Sequence, residues 1–509
     1  MFRRLLIANR GEIAIRVART AQSLGIRCIG VYSEGDRAAQ HRASMDESVE
    51  IGGPLPAQSY LNIEAIVSAA KRTHADAVHP GYGFLSENPM FATRCSEEGV
   101  VFVGPPPAAM AVTGDKIAAR KAMAGAGVPV TKGVDRVLES SEQAGVVASE
   151  LGYPVMVKAS AGGGGIGMSR VDRPADLPAA FETARSVARA NFGNPDLFLE
   201  KYLKRARHVE IQSLVADRGA VGFVERECSV QRRHQKLVEE TPSPVVGPAL
   251  RKRLIEVAVR GLQALGYRNA GTVEFLLHEG QFTFNEVNAR LQVEHPITEM
   301  VTGVDLVAEQ LHIAAGDGLS ISMNEIRRHG HAIECRVNAE DPLRNFLPSP
   351  GRVAGYREPA GSGIRVDSGI AARSDVPPYY DPLLAKLIVH DRTRTLAIRR
   401  TQQAVDAFEI RGVHTTLPFD RALLAESHFR HGDLWTTMVA DLRIAERIRT
   451  RGPWEERVAA IAAALASTGR LEAGPTFAIE RPGASGWATA GRRERLAGGA
   501  RAISPRRRW

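Results

Sequence analysis

A chain of 509 residues exceeds what one hydrophobic core fills, since cores stop growing near about 250–300 residues, and its length predicts about three domains. Hydrophobic residues at 44%, charged residues at 24% and aromatics at 6% describe a globular chain and exclude collagen-like, wholly disordered and disulfide-scaffold classes. The net charge of +9 is concentrated at the end: residues 481–509 hold eight arginines against Glu494, a net of +7, which leaves +2 for the rest and argues against nucleic-acid binding.

In chain order, Leu5–Ala8, Cys28–Tyr32, Ala77–His79 and Val100–Val103 read as strands. Between them Glu12–Leu24 and Tyr60–Thr73 read as amphipathic helices, the second capped by Ser59. Such alternation predicts a parallel sheet with helices on its faces. Asn9-Arg10-Gly11-Glu12, after the first strand, is not G-x-G-x-x-G, so a dinucleotide fold is not indicated. Gly104-Pro105-Pro106-Pro107 ends the pattern, and a first domain is placed at 1–113.

A helix around Lys116–Ala126 opens a second domain, 114–320, which continues through the strand Pro154–Lys158 to a closing helix near Asp305–Ala315. A third, 328–445, alternates strands such as Ala332–Asn338 and Leu383–Val389. From 446 a tail follows, basic and expected to be disordered from about 481. The expected fold class is α/β: an N-terminal open parallel-sheet domain, a middle domain with a glycine-rich flap, and a C-terminal α+β domain. No apolar run approaches the roughly 18 residues of a membrane span, and the apolar stretch after Arg3-Arg4 is too short for a signal peptide. A cytoplasmic location is expected. Cys28, Cys95, Cys228 and Cys335 form no C-x-x-C and read as buried reduced thiols.

Three places carry chemistry. The glycine run Gly162–Gly165, followed by Ile166-Gly167 and a second apolar segment, predicts a strand–loop–strand flap whose bare amides close over phosphates. Lys158 ends an apolar strand, where a lysine is costly unless an anion meets it. Second, a three-residue hairpin loop at Glu279-Gly280-Gln281 would place residues whose numbers sum to 560 opposite one another, and Glu274 would face Glu286. Like charges paired across strands repel, so this pair with Asn288 calls for a divalent cation. Polar alternation continues through Arg290, Gln292 and Glu294, which reads as one strand face carrying metal ligands, then an anion clamp, then a base. Third, Glu225–Lys236 is dense in charge and reads by default as a surface run.

These clusters, together with Ile7-Ala8-Asn9-Arg10-Gly11-Glu12-Ile13-Ala14, His79–Asn88, Gln231–Lys236, Asn285–Pro296 and Glu334–Asp341, resemble biotin carboxylase of the ATP-grasp superfamily over about residues 2–445. The resemblance implies that the middle domain is an ATP-grasp domain with its lid at about 131–203. It implies that Lys116 and Lys158 bind ATP phosphates beneath the amides of Gly163, Gly164 and Gly165. Glu200, Lys201 and Leu203 would contact adenine, with His208, Gln231 and His234 around the nucleotide. Glu274, Glu286 and Asn288 would hold one or two magnesium or manganese ions. Bicarbonate would sit among Lys236, Arg290, Gln292 and the Val293 amide, Glu294 would be the general base, and Arg336 would face biotin. Ile166 stands where many relatives carry arginine, which removes one phosphate donor from the flap.

None of the ten methionines is followed by lysine, the mark of a biotinylation site, so biotin is expected on a separate biotin carboxyl carrier protein. A homodimer is expected, together with a separate carboxyltransferase subunit, and the final acceptor is expected to be acetyl-CoA or another acyl-CoA. The competing readings are another ATP-grasp ligase of the carbamoyl-phosphate type and a non-catalytic nucleotide-binding subunit.

Overall fold

The computed structural model describes residues 1–162, 165–448, 460–461 and 463–465; Gly163, Gly164 and the expected basic tail lie outside the described residues. The first five strands, β1 (Arg4–Ile7), β2 (Arg27–Tyr32), β3 (Glu47–Glu50), β4 (Ala77–His79) and β5 (Val101–Phe102), form a parallel sheet in the order β3-β2-β1-β4-β5. Leu5, Leu6 and Ile7 are wholly buried, as continuous apolar runs are when helices cover both faces of a parallel sheet. Helix α1 (Gly11–Ser23) leaves β1, and α2 (Ile63–Arg72) precedes β4. The cap of α2 is Asn62, whose side chain accepts from the Ala65 amide at 3.1 Å. Ser59 is not the cap, because its hydroxyl donates to the Leu55 carbonyl at 2.9 Å within the preceding turn.

The strand order reverses at β1 and β4, and open α/β sheets present their binding crevice at that switch point. The two loops leaving there are Asn9-Arg10 and Pro80–Gly83, and the Asn9 amide ties them by donating to the carbonyls of Pro80 (2.7 Å) and Tyr82 (2.8 Å).

Helix α3 (Lys116–Gly125) starts at Asp115, whose carboxylate accepts from the Ile117 and Ala118 amides. A three-stranded antiparallel sheet follows, β7-β6-β8, built from β6 (Val155–Ala159), β7 (Met168–Val171) and β8 (Leu197–Lys201). The glycine run joins β6 to β7 with Lys158 opposite Met168, which is the strand–loop–strand arrangement expected.

The largest sheet takes β9 (Arg207–Val215), β10 (Ala220–Gly222), β11 (Arg226–Arg232), β12 (Gln235–Thr241), β13 (Asn269–His278), β14 (Gln281–Asn288), β15 (His331–Asn338), β16 (Ile364–Ser368) and β17 (Leu383–Asp391). Its order is β14-β13-β9-β11-β12-β15-β17-β16, with β10 paired to β9, and every pairing is antiparallel. The β12–β15 pairing carries this sheet from the middle of the chain into its C-terminal part. Helices α4 (His295–Thr302) and α5 (Leu306–Ala315) pack between this sheet and α1.

The charge run 225–236 is a surface feature only at its turn, Arg233-His234-Gln235; the part before it is buried. Glu225, just before β11, and Arg226 and Glu227 within it are buried. Each finds a partner from elsewhere: Arg251 meets Glu225 at 2.6 Å, Glu210 meets Arg226 at 2.6 Å, and Arg207 meets Glu227 at 3.3 Å. Buried charges persist only when paired and hydrogen-bonded. Among the described residues no helix is long and apolar enough to cross a membrane, and all four cysteines are free and buried.

Candidate active site

One cavity of about 580 Å³ lies where the three parts of the chain meet. Asn9–Ile13 and Tyr82–Phe84 line it from the switch point, the middle segment supplies its lysines and acids, and Arg336, Asn338 and Tyr380–Leu383 close it from the C-terminal part. All the expected nucleotide, metal, bicarbonate and biotin residues among those described line this cavity except Glu294. The Glu294 side chain is fully buried just behind the wall, held by two residues that do line it.

Glu274 does face Glu286 across β13 and β14, although the turn is shorter than expected. The loop is Glu279-Gly280, both with positive φ (50° and 75°), and His278 pairs with Gln281. That is the two-residue turn whose twist suits a hairpin. A bulge after Phe275–Phe284 then adds Asn285 and shifts the register by one. The bulge exchanges the faces of β14: Phe282 and Phe284 pack into the core before it, Val287 and Ala289 after it. Asn285 and Glu286 therefore both reach the cavity.

The expected polar strand does not run on to Glu294. β14 ends at Asn288, a tight turn follows, and Glu294 is the residue from which α4 begins. The turn still converges the polar side chains. The Arg290 guanidinium donates to Asn288 Oδ1 (3.1 Å), Gln292 Oε1 (3.0 Å) and Glu87 Oε2 (3.0 Å), and the Gln292 amide approaches Glu274 at 3.4 Å.

Lys236 is the electrostatic centre. Its ammonium donates to Glu210 (2.5 Å), Glu274 (2.9 Å) and Glu294 (2.6 Å). Burial alone would lower the Lys236 pKa, but these three carboxylates raise it well above the usual lysine value. Burial pushes Glu294 up, yet Lys236, Arg336 and Arg226 overcome it and hold the carboxyl well below its usual range. Glu274 is likewise held low against burial, by His208 at 2.9 Å and by Lys236. At Glu210 burial, helped by the neighbouring Glu294 and Glu274 carboxylates, prevails over Lys236 and Arg226 and lifts the carboxyl.

Arg336 donates to Glu294 Oε2 at 2.9 Å and to Glu239 Oε1 at 2.6 Å. Burial, opposed by Arg336, raises the Glu239 carboxyl to about 7. A carboxyl raised from its ordinary 4.5 stabilises the fold most when protonated, and that contribution is lost as pH rises through about 7. Glu239→Gln is therefore expected to gain thermal stability relative to wild type at pH 8 but not at pH 5. Melting curves at the two pH values check this, and the opposite ordering would contradict it.

The two lysines expected to meet phosphates are already partnered. Lys158 meets Glu200 at 2.6 Å and Asn285 at 3.3 Å, so the anion its burial demands comes from the chain itself. Arg120 holds the other oxygen of Glu200 at 2.9 Å. Lys116 lies 3.5 Å from Glu286 and also reaches the Gly162 carbonyl. Lys201 is tied to the carbonyls of Gly152 and Tyr153, while Gln231 links to His208 at 2.6 Å. Gly165 has φ +75° and sits against His234, where a Cβ would stand 2.5 Å from the imidazole side chain's own Cβ. Gly165 thus rests on the Arg233-His234 turn. Glu210, missed from the sequence, was signalled by the same polar alternation, His208-Val-Glu210-Ile-Gln212, that marked β14.

Comparison with known proteins agrees with this architecture. The N-terminal domain of biotin carboxylase matches residues 1–110, the ATP binding domain of the carbamoyl-phosphate synthase L chain matches 115–322, and the biotin carboxylase C-terminal domain matches 334–441. Biotin carboxylase 2 of Bacillus subtilis is 49% identical over 438 residues, covering 86% of this chain and 98% of that protein. A pyruvate carboxylase subunit of Methanothermobacter thermautotrophicus is 46% identical over 482 residues, covering 91% and 98%. Among solved structures, the biotin carboxylase domain dimer of Hydrogenobacter thermophilus 2-oxoglutarate carboxylase, in complex with MgADP, ADP and bicarbonate, superposes with a TM-score of 0.86 at 42% identity, over 89% of this chain and all of that one. Campylobacter jejuni biotin carboxylase gives 0.85 at 42% identity, over 87% and 99%. With its three-part architecture and these identities across most of its length, the chain belongs to the biotin carboxylase family and is an ATP-dependent ligase.

Proposed function

We propose that this enzyme carboxylates biotin on a separate carrier protein, using ATP and bicarbonate through a carboxyphosphate intermediate. The observation that carries the reading is that Lys236, Arg290, Gln292 and Arg336 line one cavity together with Lys116 and Lys158, with Lys236 and Arg336 both gripping Glu294 behind its wall. Phosphoryl transfer needs positioning and charge neutralisation more than covalent help. Lys116 and Lys158 serve the phosphates, with Glu200, Lys201, Leu203, His208, Gln231 and His234 around the rest of the nucleotide. Arg290, Gln292, the Val293 amide and Lys236 orient bicarbonate.

In the first step a bicarbonate oxygen attacks the γ-phosphorus, ADP leaves, and Glu294 accepts the bicarbonate proton. Carboxyphosphate then breaks into carbon dioxide and phosphate. The phosphate takes the ureido proton of biotin, the ring oxygen gains charge opposite Arg336, and nitrogen forms its bond to carbon dioxide. Closure of the β6–β7 flap excludes water from the labile intermediate.

The donor set fits a divalent cation. Two carboxylates opposed across strands and a neighbouring amide are hard oxygen ligands suited to magnesium or manganese. Glu274, Glu286 and Asn288 would hold it, and when bound it supplies positive charge to the phosphates. Glu274→Ala and Glu286→Ala are each expected to raise the magnesium concentration for half-maximal activity at least tenfold. Magnesium titration of the folded variants checks this; an unchanged midpoint in both would remove the pair from metal binding.

The decisive experiment measures ATP hydrolysis with and without bicarbonate and free biotin. Hydrolysis that needs both supports the proposal, and hydrolysis that responds to ammonia in place of biotin would favour the carbamoyl-phosphate reading instead. We assign the final transfer to a carboxyltransferase partner with an acyl-CoA acceptor, and the working enzyme to a homodimer. Pyruvate and 2-oxoglutarate, named for two relatives, are the competing acceptors. Assays of the reconstituted complex with each acceptor separate them.

A further inference from the structure

Glu12, in the Asn9–Ala14 string, has no part in the chemistry above, yet its carboxylate is buried at the first turn of α1. It meets Lys386, the fully buried lysine at the centre of β17, at 3.1 Å. The same ammonium donates to the Val293 carbonyl at 3.0 Å. Glu12, Val293 and Lys386 come from the three separate parts of the chain, so one buried cation ties all three together. The approach is close: at Gly369, on the C-terminal side, a Cβ would stand 2.7 Å from the Glu12 amide nitrogen.

A buried lysine is costly, and a well-packed apolar residue commonly serves stability as well or better. Its retention here has a geometric use. Val293 lines the cavity and its C=O is in peptide linkage with Glu294, so a donor fixed on that carbonyl sets the orientation of the Val293–Glu294 peptide. Glu294 itself is held on its carboxylate by Lys236 and Arg336, but nothing else described grips the preceding carbonyl.

We propose that Lys386 is a positioning residue for bicarbonate, anchored by Glu12 and acting through the Val293–Glu294 peptide. The inference rests on the roles assigned above to the Val293 amide and Glu294. It predicts an effect on bicarbonate and turnover with none on the nucleotide end of the cavity, which a merely structural ion pair would not single out.

The test uses the full chain and bicarbonate-dependent ATP hydrolysis in the presence of biotin. Lys386→Met is expected to lower kcat/KM for bicarbonate at least tenfold, while KM for ATP stays within twofold of wild type. Because this variant leaves Glu12 buried without its cation, the Glu12→Gln/Lys386→Met pair is made as well. The pair is expected to recover the melting temperature but not the bicarbonate kinetics. Recovery of both, a twofold or smaller effect in Lys386→Met, an equal loss for ATP and bicarbonate, or failure of both variants to fold would overturn the proposal in favour of a structural role. A wild-type enzyme whose hydrolysis ignores bicarbonate would instead remove the functional reading on which it rests.

Discussion

Glu294→Gln is expected to lower biotin carboxylation by about 10²–10⁴-fold, the usual contribution of a positioned general base, while ATP binding survives. The substitution keeps the size of the side chain, so α4 still begins at this residue. It removes the negative charge that both Lys236 and Arg336 contact. Neither cation loses all its partners, since Lys236 keeps Glu210 and Glu274 and Arg336 keeps Glu239. The fold is therefore expected to persist, and nucleotide binding measured by calorimetry should stay near wild type. Turnover above half of wild type at neutral pH would remove Glu294 from the mechanism.

The second large effect is expected at Lys236. Lys236→Met deletes the ammonium shared by Glu210, Glu274 and Glu294 and leaves three buried acids facing one another. Removing one partner of a buried ion pair typically costs about 3–5 kcal/mol, so loss of both turnover and stability is expected. The pH dependence identifies the cause. Without Lys236 the carboxyl pKa values rise, protonation then stabilises the fold, and the deficit shrinks as pH falls. A stability deficit in Lys236→Met that stays constant from pH 8 to pH 5 would show that packing, not charge, was lost.

How far the site could be read from sequence is clearest in the β13–β14 hairpin. The opposition of Glu274 and Glu286 was legible, but by way of a miscounted turn: a two-residue turn plus one bulged residue has the same arithmetic as a three-residue loop. The bulge had left a trace. Apolar residues fall at 282 and 284, then at 287, 289 and 291, so the alternation changes phase between Phe284 and Val287. Two features could not be read locally. Lys158 is answered by Glu200 and the 225–236 run by Arg251, Arg207 and Glu210, partners that only the folded sheet brings near. A string of charges shows its own density and not the company it will keep. Four strands of the parallel sheet were legible because buried apolar strands and amphipathic helices are each marked by their own spacing, whereas β3, Glu47-Ser48-Val49-Glu50 at the sheet edge, has one apolar residue and carries no such mark. The cap of α2 was not, since Ser59 and Asn62 are both suitable and the turn between them decides.

The internal partnering of Lys116 bears on the phosphate role proposed for it. Lys116 stands near Glu286, an acid also suited to a metal ion. In the proposed reaction, arrival of a phosphate would draw Lys116 away and free the acid, and arrival of a cation at Glu286 would free the lysine. Each event alone leaves one charge bare, whereas both together are an exchange of partners that conserves the number of matched charges. Nucleotide and metal should thus favour each other's binding reciprocally, by the same factor in either order. The lysine–glutamate contact works as a clasp in which neither charge waits exposed, and the substrate best able to open it is the one that brings its own cation.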